Sequence, residues 1–291
     1  MNAEAAEEAL EALTASRLEA RRTARRRSGT PPWTIVVLGL SAVYFLVPLY
    51  ATAVFALSTG KAFSLQPLFD GFGDPGFQAS LQLSLTYSIV TTVLALAVVA
   101  PTAYVVELRY PQLRSTIEFL SVLPFVVPPI IMAVGLGEVY GINSPIDLIA
   151  NDQLAPILLY GGYFVLTLPF VFRAIDNALR AVDVRVLTEA SSSLGASPIR
   201  TFLQVIVPSI SLGLVSAALL AFTTAMGEFT LAALLGYPTF PVFLLNENGY
   251  EPRIGSALVL VSFLITWAGV IALAAIARRT PGTQIVRGGP M

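Results

Sequence analysis

The chain predicts an all-α membrane protein of six transmembrane helices with both termini on the cytoplasmic side. Three observations carry that prediction. Of its 291 residues, 55% are hydrophobic and 12% charged, with a mean hydropathy of +0.75; a soluble domain carries about 25% charged residues. Six apolar stretches, at 33–57, 83–106, 119–140, 154–172, 209–235 and 254–277, each approach the roughly 20 residues that cross a bilayer. The basic residues are segregated. With the N-terminus inside, only Lys61 and Arg253 fall outside, and an excess of Lys and Arg marks cytoplasmic loops.

The organisation expected is a cytoplasmic helix at 1–30, a transmembrane domain at 31–280 and a cytoplasmic tail at 281–291. In the lead, Glu4, Glu7, Glu8 and Glu11 come first and Arg17, Arg21, Arg22, Arg25, Arg26 and Arg27 follow, with Glu19 between Arg17 and Arg21. That order suits a helix dipole and places the arginines beside lipid headgroups. No apolar run of signal-peptide type precedes Trp33, so no cleavage is expected. Trp33, Tyr50, Tyr140, Tyr160 and Tyr237 lie near the ends of predicted spans, where amphipathic rings prefer the membrane interface.

The first outer segment, 58–82, holds Asp70, Gly71, Gly73, Asp74, Pro75 and Gly76 and reads as an ordered, turn-rich cap or lid. Glu107 and Arg109 then flank the second span, and Glu118 precedes the third, as interfacial anchors. The third span contains Pro128 and Pro129, which remove two backbone donors, so it cannot be an unbroken helix. Breaks of this kind either line a cavity or form a packed kink. Glu138, with Gly135 and Gly137, lies near the outer end of that span and is a lesser pathway candidate. The outer loops at 141–153 and 236–253 are acidic, with Asp147, Asp152, Glu247 and Glu251.

The fifth span holds the one carboxylate expected deep in the bilayer, Glu228, beside Gly227. An intramembrane acid costs several kcal/mol unless it faces protein or water, which makes it a functional candidate. A place on the pathway, a contact with another subunit and a quiet structural hydrogen bond all remain open for it. Gly227 is expected to allow close helix approach.

Between the fourth and fifth spans, the cytoplasmic segment at about 173–208 has its own helix grammar. Leu187, Ala190, Ser191 and Leu194 are spaced as one small face of a short helix. Gly195 stands where a helix ends in a left-handed residue. Ser197 then offers an N-cap and Pro198 takes the first position of a second helix, which is expected to run from 199 to 206 and stop at Pro208. Helices this short are unstable alone in water, so this pair must lean on something.

Several chemistries are excluded. With no Cys and no His, the chain has no disulfide, no Cys/His zinc site and no His-based catalytic group, and no catalytic or metal-binding residue is expected. The only Gly-Lys pair, Gly60-Lys61, is followed by Ala62 and has Phe55 where a phosphate-binding loop needs glycine.

The residues Glu189, Ala190, Ser191, Gly195, Val205, Val207 and Pro208 have the spacing of the permease loop of ATP-binding-cassette (ABC) importers, and the chain resembles their binding-protein-dependent, type I family. The family usually has Ala at Ser191, Ile at Val205 and Leu at Val207. The flanking Leu194, Ala196, Ser197, Pro198 and Phe202 are also similar, and Gly-Glu-Phe at 227–229 resembles the branch serving polyamines and ferric iron. The resemblance implies a multi-pass permease of the bacterial inner membrane with no enzymatic activity of its own. It further implies that 187–198 couples to a cytoplasmic ABC ATPase dimer, which binds the ATP and Mg, while this chain binds no cofactor. A second, related permease and an extracytoplasmic solute-binding protein complete the expected partners, besides membrane lipid; no nucleic acid is expected. The alternative is a secondary transporter or channel that uses Glu228 as a proton or ion site. It leaves the structured loop without a task, and the internal repeats usual in such proteins are absent.

Overall fold

The computed structural model describes residues 32–59, 62–141, 144, 148, 149 and 154–279. The predicted lead helix at 1–30, the tail at 281–291, Lys61, Asp147 and Asp152 lie outside them. Helix α1 (Pro32–Leu57) is a 26-residue apolar helix with Trp33, Leu38, Phe45 and Tyr50 exposed.

A second unit begins at Phe55. It opens on a short hairpin, β1 (Ser58–Thr59) antiparallel to β2 (Ala62–Phe63), followed by α2 (Gln66–Gly73). Helix α3 (Pro75–Arg109) then runs 35 residues and starts earlier than hydropathy predicts. The Asp74 side chain accepts from the Phe77 N–H at 2.9 Å and Pro75 takes the first helical position, a strong start signal. The polar residues Gln78, Ser80 and Gln82 give these outer turns the composition of a loop.

After a 3-10 turn (Pro111–Leu113) come α4 (Arg114–Val126) and α5 (Pro129–Tyr140). The two are bent by 91° at Val127 and Pro128. Pro128 is extended, with φ −56° and ψ 139°, and its carbonyl accepts from Ile131 at 2.9 Å and Met132 at 3.2 Å. The diproline therefore ends one helix and starts another. Helix α6 (Ala155–Arg180) extends two turns past the predicted end at 172, because Arg173, Asp176 and Arg180 are polar but helical.

The cytoplasmic segment is thereby confined to α7 (Val184–Ser193), α8 (Pro198–Thr201), a π-helical turn (Phe202–Ile206) and α9 (Val207–Ser209). Pro208 does not stop the second helix, contrary to expectation. The Val207 N–H reaches back five residues to the Phe202 carbonyl, and this wider turn makes room for a proline ring that an α-turn would exclude. The fifth span is also two pieces, α10 (Ser211–Met226) and α11 (Thr230–Leu234), and α12 (Phe240–Tyr250) and α13 (Pro252–Arg279) complete the chain. Among the described residues, five helical segments are long and apolar enough to cross a membrane, and the bent α4–α5 pair makes six if counted as one span.

Helices α3, α6 and α10 carry the core. Ala95, Ala100, Ala103, Ala217 and Ala221 are buried among Val171, Ile175 and Leu179, small residues that let backbones approach without help from the hydrophobic effect in lipid. A Cβ on Gly213 of α10 would run into Ala178 of α6. Two further clusters lie beyond it. Tyr87, Ala133, Tyr163, Ala225 and Leu231 join α3, α5, α6, α10 and α11, and Phe77, Met226, Phe240 and Leu258 join α3, α10, α12 and α13. The buried hydroxyls of Ser80, Ser88 and Thr167 bond to carbonyls of their own helices, Ser88 to Ser84 at 2.7 Å. The Ser84 hydroxyl in turn accepts from the Phe240 N–H at 2.7 Å, which satisfies a free donor at the start of α12.

Candidate functional site: the cytoplasmic helix pair and the break at Glu228

Helix α7 begins where the Asp183 carboxylate accepts from the Val186 N–H at 3.1 Å, a local N-cap. It ends in a Schellman turn: the Gly195 N–H donates to the Ser192 carbonyl at 2.9 Å and the Ala196 N–H to the Ser191 carbonyl at 3.1 Å. Gly195 has φ 81°, the left-handed conformation that this turn requires at that position. Two residues on, the Ser197 hydroxyl accepts from the Arg200 N–H at 3.4 Å and Pro198 opens α8. The two helices are tied across the turn by the buried hydroxyls of Ser191 and Thr201, 2.9 Å apart.

The pair is anchored to the bundle on one side. Val184 is buried in the core of α3, α6 and α10, with Leu187 and Phe202 packed against it. The Tyr104 hydroxyl lies 3.1 Å from that of Thr188, and the Tyr104 and Phe202 rings are 5.3 Å apart. The expected apolar face of α7 is therefore divided. Leu187 and Ser191 turn inward, whereas Ala190 and Leu194 face out with Glu189, Gly195, Ser197 and Pro198. Leu194 is 89% exposed and Ile199 74% exposed, both at the tip of the turn; Ala196 between them is half-buried.

Beside this loop is an ionic cluster that spacing alone did not single out. The Arg114 guanidinium donates to Asp176 at 2.5 Å and to Glu107 at 3.4 Å, with side chains only 18% and 15% exposed for the closer pair. It joins the inner ends of α3, α4 and α6. Arg180 lies 3.4 Å from Asp176, and Arg173 pairs with Glu118 at 3.5 Å nearer the surface. The available signal was Asp176, four residues before Arg180 on what proves to be a continuous helix.

Glu228 is not inside a helix. It sits in the break between α10 and α11, where its carboxylate accepts from the N–H groups of Thr230 (2.9 Å), Leu231 (3.0 Å) and Ala232 (3.4 Å). These are orphan donors of a new helix start, and a carboxylate there is favoured by the helix dipole. The Glu228 carbonyl accepts from the Tyr163 hydroxyl at 3.3 Å. Gly227 does not mediate close helix packing as expected; a Cβ there meets only the Thr223 carbonyl of its own helix, at 3.3 Å. Helices α5 and α11 pack through Ala133 and Leu231, so the diproline break and the Glu228 break occupy neighbouring elements. Pro128 and Glu138 are exposed and Pro129 half-buried.

The family described as binding-protein-dependent transport system inner membrane component matches residues 104–280. The chain is 32% identical over 207 residues to the molybdenum transport system permease protein ModB of Azotobacter vinelandii, covering 65% of this chain and 91% of that protein. It is 25% identical over 261 residues to the putrescine transport system permease protein PotI of Escherichia coli K12, covering 85% and 92%. With the sulfate transport system permease protein CysW of Synechocystis it shares 30% over 244 residues, covering 78% and 87%. Its fold is similar to that of a chain of the inward-facing MetNI methionine ABC transporter, with a TM-score of 0.53 at 22% identity over 69% of this chain and 94% of the other. The chain belongs to the binding-protein-dependent inner membrane components: it is a non-enzymatic permease subunit of an ABC importer, resident in the inner membrane, and ATP hydrolysis lies in a separate subunit.

Proposed function

We propose that this chain lines one half of a pathway for a small polycation of the polyamine class and receives the stroke of the ATPase through α7, Gly195 and α8. The observation that carries the coupling role is the tip of the turn. Leu194 and Ile199 are held out from the cytoplasmic side at 89% and 74% exposure, on a turn fixed by Gly195, Ser197 and the Ser191–Thr201 contact. Burying a side chain of this size contributes about 1.5–3 kcal/mol, so two of them on a rigid knob make a docking element for a groove. The groove belongs to a cytoplasmic ABC ATPase that binds ATP and Mg. Because α7 and the π-turn share the core of α3, α6 and α10, a push on the knob tilts those spans together. A related second permease supplies the other half of the pathway, and an external binding protein delivers the solute.

The polycation assignment rests on relatives named for putrescine and for spermidine/putrescine transport and on charge. On the outer side, Asp70, Asp74, Glu138, Glu247 and Glu251 outnumber Arg253 among the described residues. Relatives named for molybdenum and sulfate make oxyanions the competing class. The experiment is uptake by the complete transporter in proteoliposomes loaded with ATP. Labelled putrescine is expected to accumulate and to be displaced by spermidine. Accumulation of molybdate or sulfate instead would overturn the solute assignment and leave the coupling assignment standing. Loss of ATPase co-purification on Leu194→Asp, with the chain still inserted, tests the latter.

A further inference from the structure

The outer segment between the hairpin and α3 has a division of surface that the transport role does not use. Helix α2 packs one side on α13: Pro67 and Gly71 are buried, Leu68 joins the cluster around Leu258, and a Cβ on Gly71 would collide with the Leu258 side chain. At 100° per residue, Gln66, Asp70 and Gly73 fall on a second side. They are exposed, and the Gln66 amide donates to the Asp70 carboxylate at 3.0 Å. Phe69 and Phe72 fall between these two sectors, 68% and 46% exposed, the Phe72 ring also meeting that of Phe77 edge-on at 5.3 Å; Phe63 and Leu65, just before the helix in sequence, are 71% and 47% exposed. The helix thus has a protein side, a polar side and an aromatic side.

Its depth follows from Leu258. Glu251 and Arg253 mark the outer, water end of α13, and Leu258 is six residues inside Pro252, about 9 Å along the axis at 1.5 Å per residue. A helix lying in the membrane plane buries its apolar face roughly 5–10 Å into the headgroup and acyl boundary. We propose that α2 is such an interfacial helix, lying in the outer leaflet with Phe69 and Phe72 among phospholipid acyl chains and Gln66 and Asp70 at the headgroups, where it pins the outer end of α13 to the bilayer surface. Phenylalanines at this level supply apolar area, and the adjacent polar side sets which way the helix rolls.

The chain has no cysteine, so each introduced cysteine is the one site on it that takes a label. Phe69→Cys, Phe72→Cys, Gln66→Cys and Asp70→Cys are spin-labelled in the complete transporter reconstituted in phospholipid vesicles, with the unsubstituted complex as background. Labels at 69 and 72 are expected to be relaxed by oxygen and shielded from a water-soluble nickel chelate, and labels at 66 and 70 to show the reverse. Chelate access at 69 and 72 equal to that at 66 and 70 would overturn the proposal. So would shielding of 69 and 72 from both reagents, which would place a partner permease or the binding protein over them. A second measurement needs no substitution: a phospholipid carrying a photoreactive group near its headgroup is expected to form adducts within 62–73. Adducts on the outer turns of α13 without any on 62–73 would also refute it.

Discussion

Replacing Gly195 tests the loop geometry most directly. Its φ is 81°, and nothing lies within 4 Å of the place a Cβ would take, so a substitution meets no steric wall and the whole effect is backbone. An L-residue held left-handed loses about 1–2 kcal/mol, asparagine less because it tolerates that region, and a β-branched residue more. A penalty of about 2 kcal/mol lowers the population of the native turn relative to relaxed loops roughly thirtyfold. The two hydrogen bonds of the Schellman turn and the positions of Leu194 and Ile199 change together. Uptake and ATP hydrolysis by the complete transporter in proteoliposomes are therefore expected to fall in the order Gly, Asn, Ala, Val at position 195. ATPase co-purification should weaken in the same order while the amount of inserted chain stays constant. Equal transport by Gly195→Val and Gly195→Asn would show that the left-handed turn is not what the ATPase engages.

The Ser191–Thr201 hydroxyl pair, 2.9 Å apart and buried, should stabilise the helix pair by about 1 kcal/mol; Ser191→Ala and Thr201→Ala are expected to lower the thermal midpoint of the purified complex, the double variant by less than the sum. Arg114→Met should destabilise by up to about 3 kcal/mol, because it leaves the mostly buried Asp176 to the half-exposed Arg180, 3.4 Å away, whereas Arg173→Met at a 70% exposed side chain should change stability by less than about 1 kcal/mol; equal thermal shifts would contradict the burial of the first pair. Glu228→Ala strips acceptors from the N–H groups of Thr230, Leu231 and Ala232 and should lower stability and uptake together, while Glu228→Gln, which keeps one carbonyl acceptor, should retain most of both. Full stability with lost uptake in Glu228→Gln would return this carboxylate to the pathway.

Much of this protein was legible along the chain. Composition and apolar run length determine that it is a membrane protein, because a bilayer imposes one length and one polarity on every span. The distribution of Arg predicts its orientation. The turn at Gly195 and the cap at Ser197 and Pro198 were readable for the same kind of reason: a helix terminus is settled by residues within a few positions of one another. The break at Pro128 and Pro129 was readable too, though its 91° angle was not.

Tertiary structure decided the rest, and the reason is that a one-dimensional pattern does not say what a face is turned toward. Leu187, Ala190, Ser191 and Leu194 share a spacing, yet Leu187 packs on the core of α3, α6 and α10, Ser191 is buried against Thr201, and Leu194 stays 89% exposed. Arg114 and Asp176 are 62 residues apart, and only the packing of α4 on α6 makes them a pair. Glu228 looked like an isolated charge in a continuous helix. The chain opens at Gly227 instead, and the carboxylate meets the backbone donors which that opening exposes.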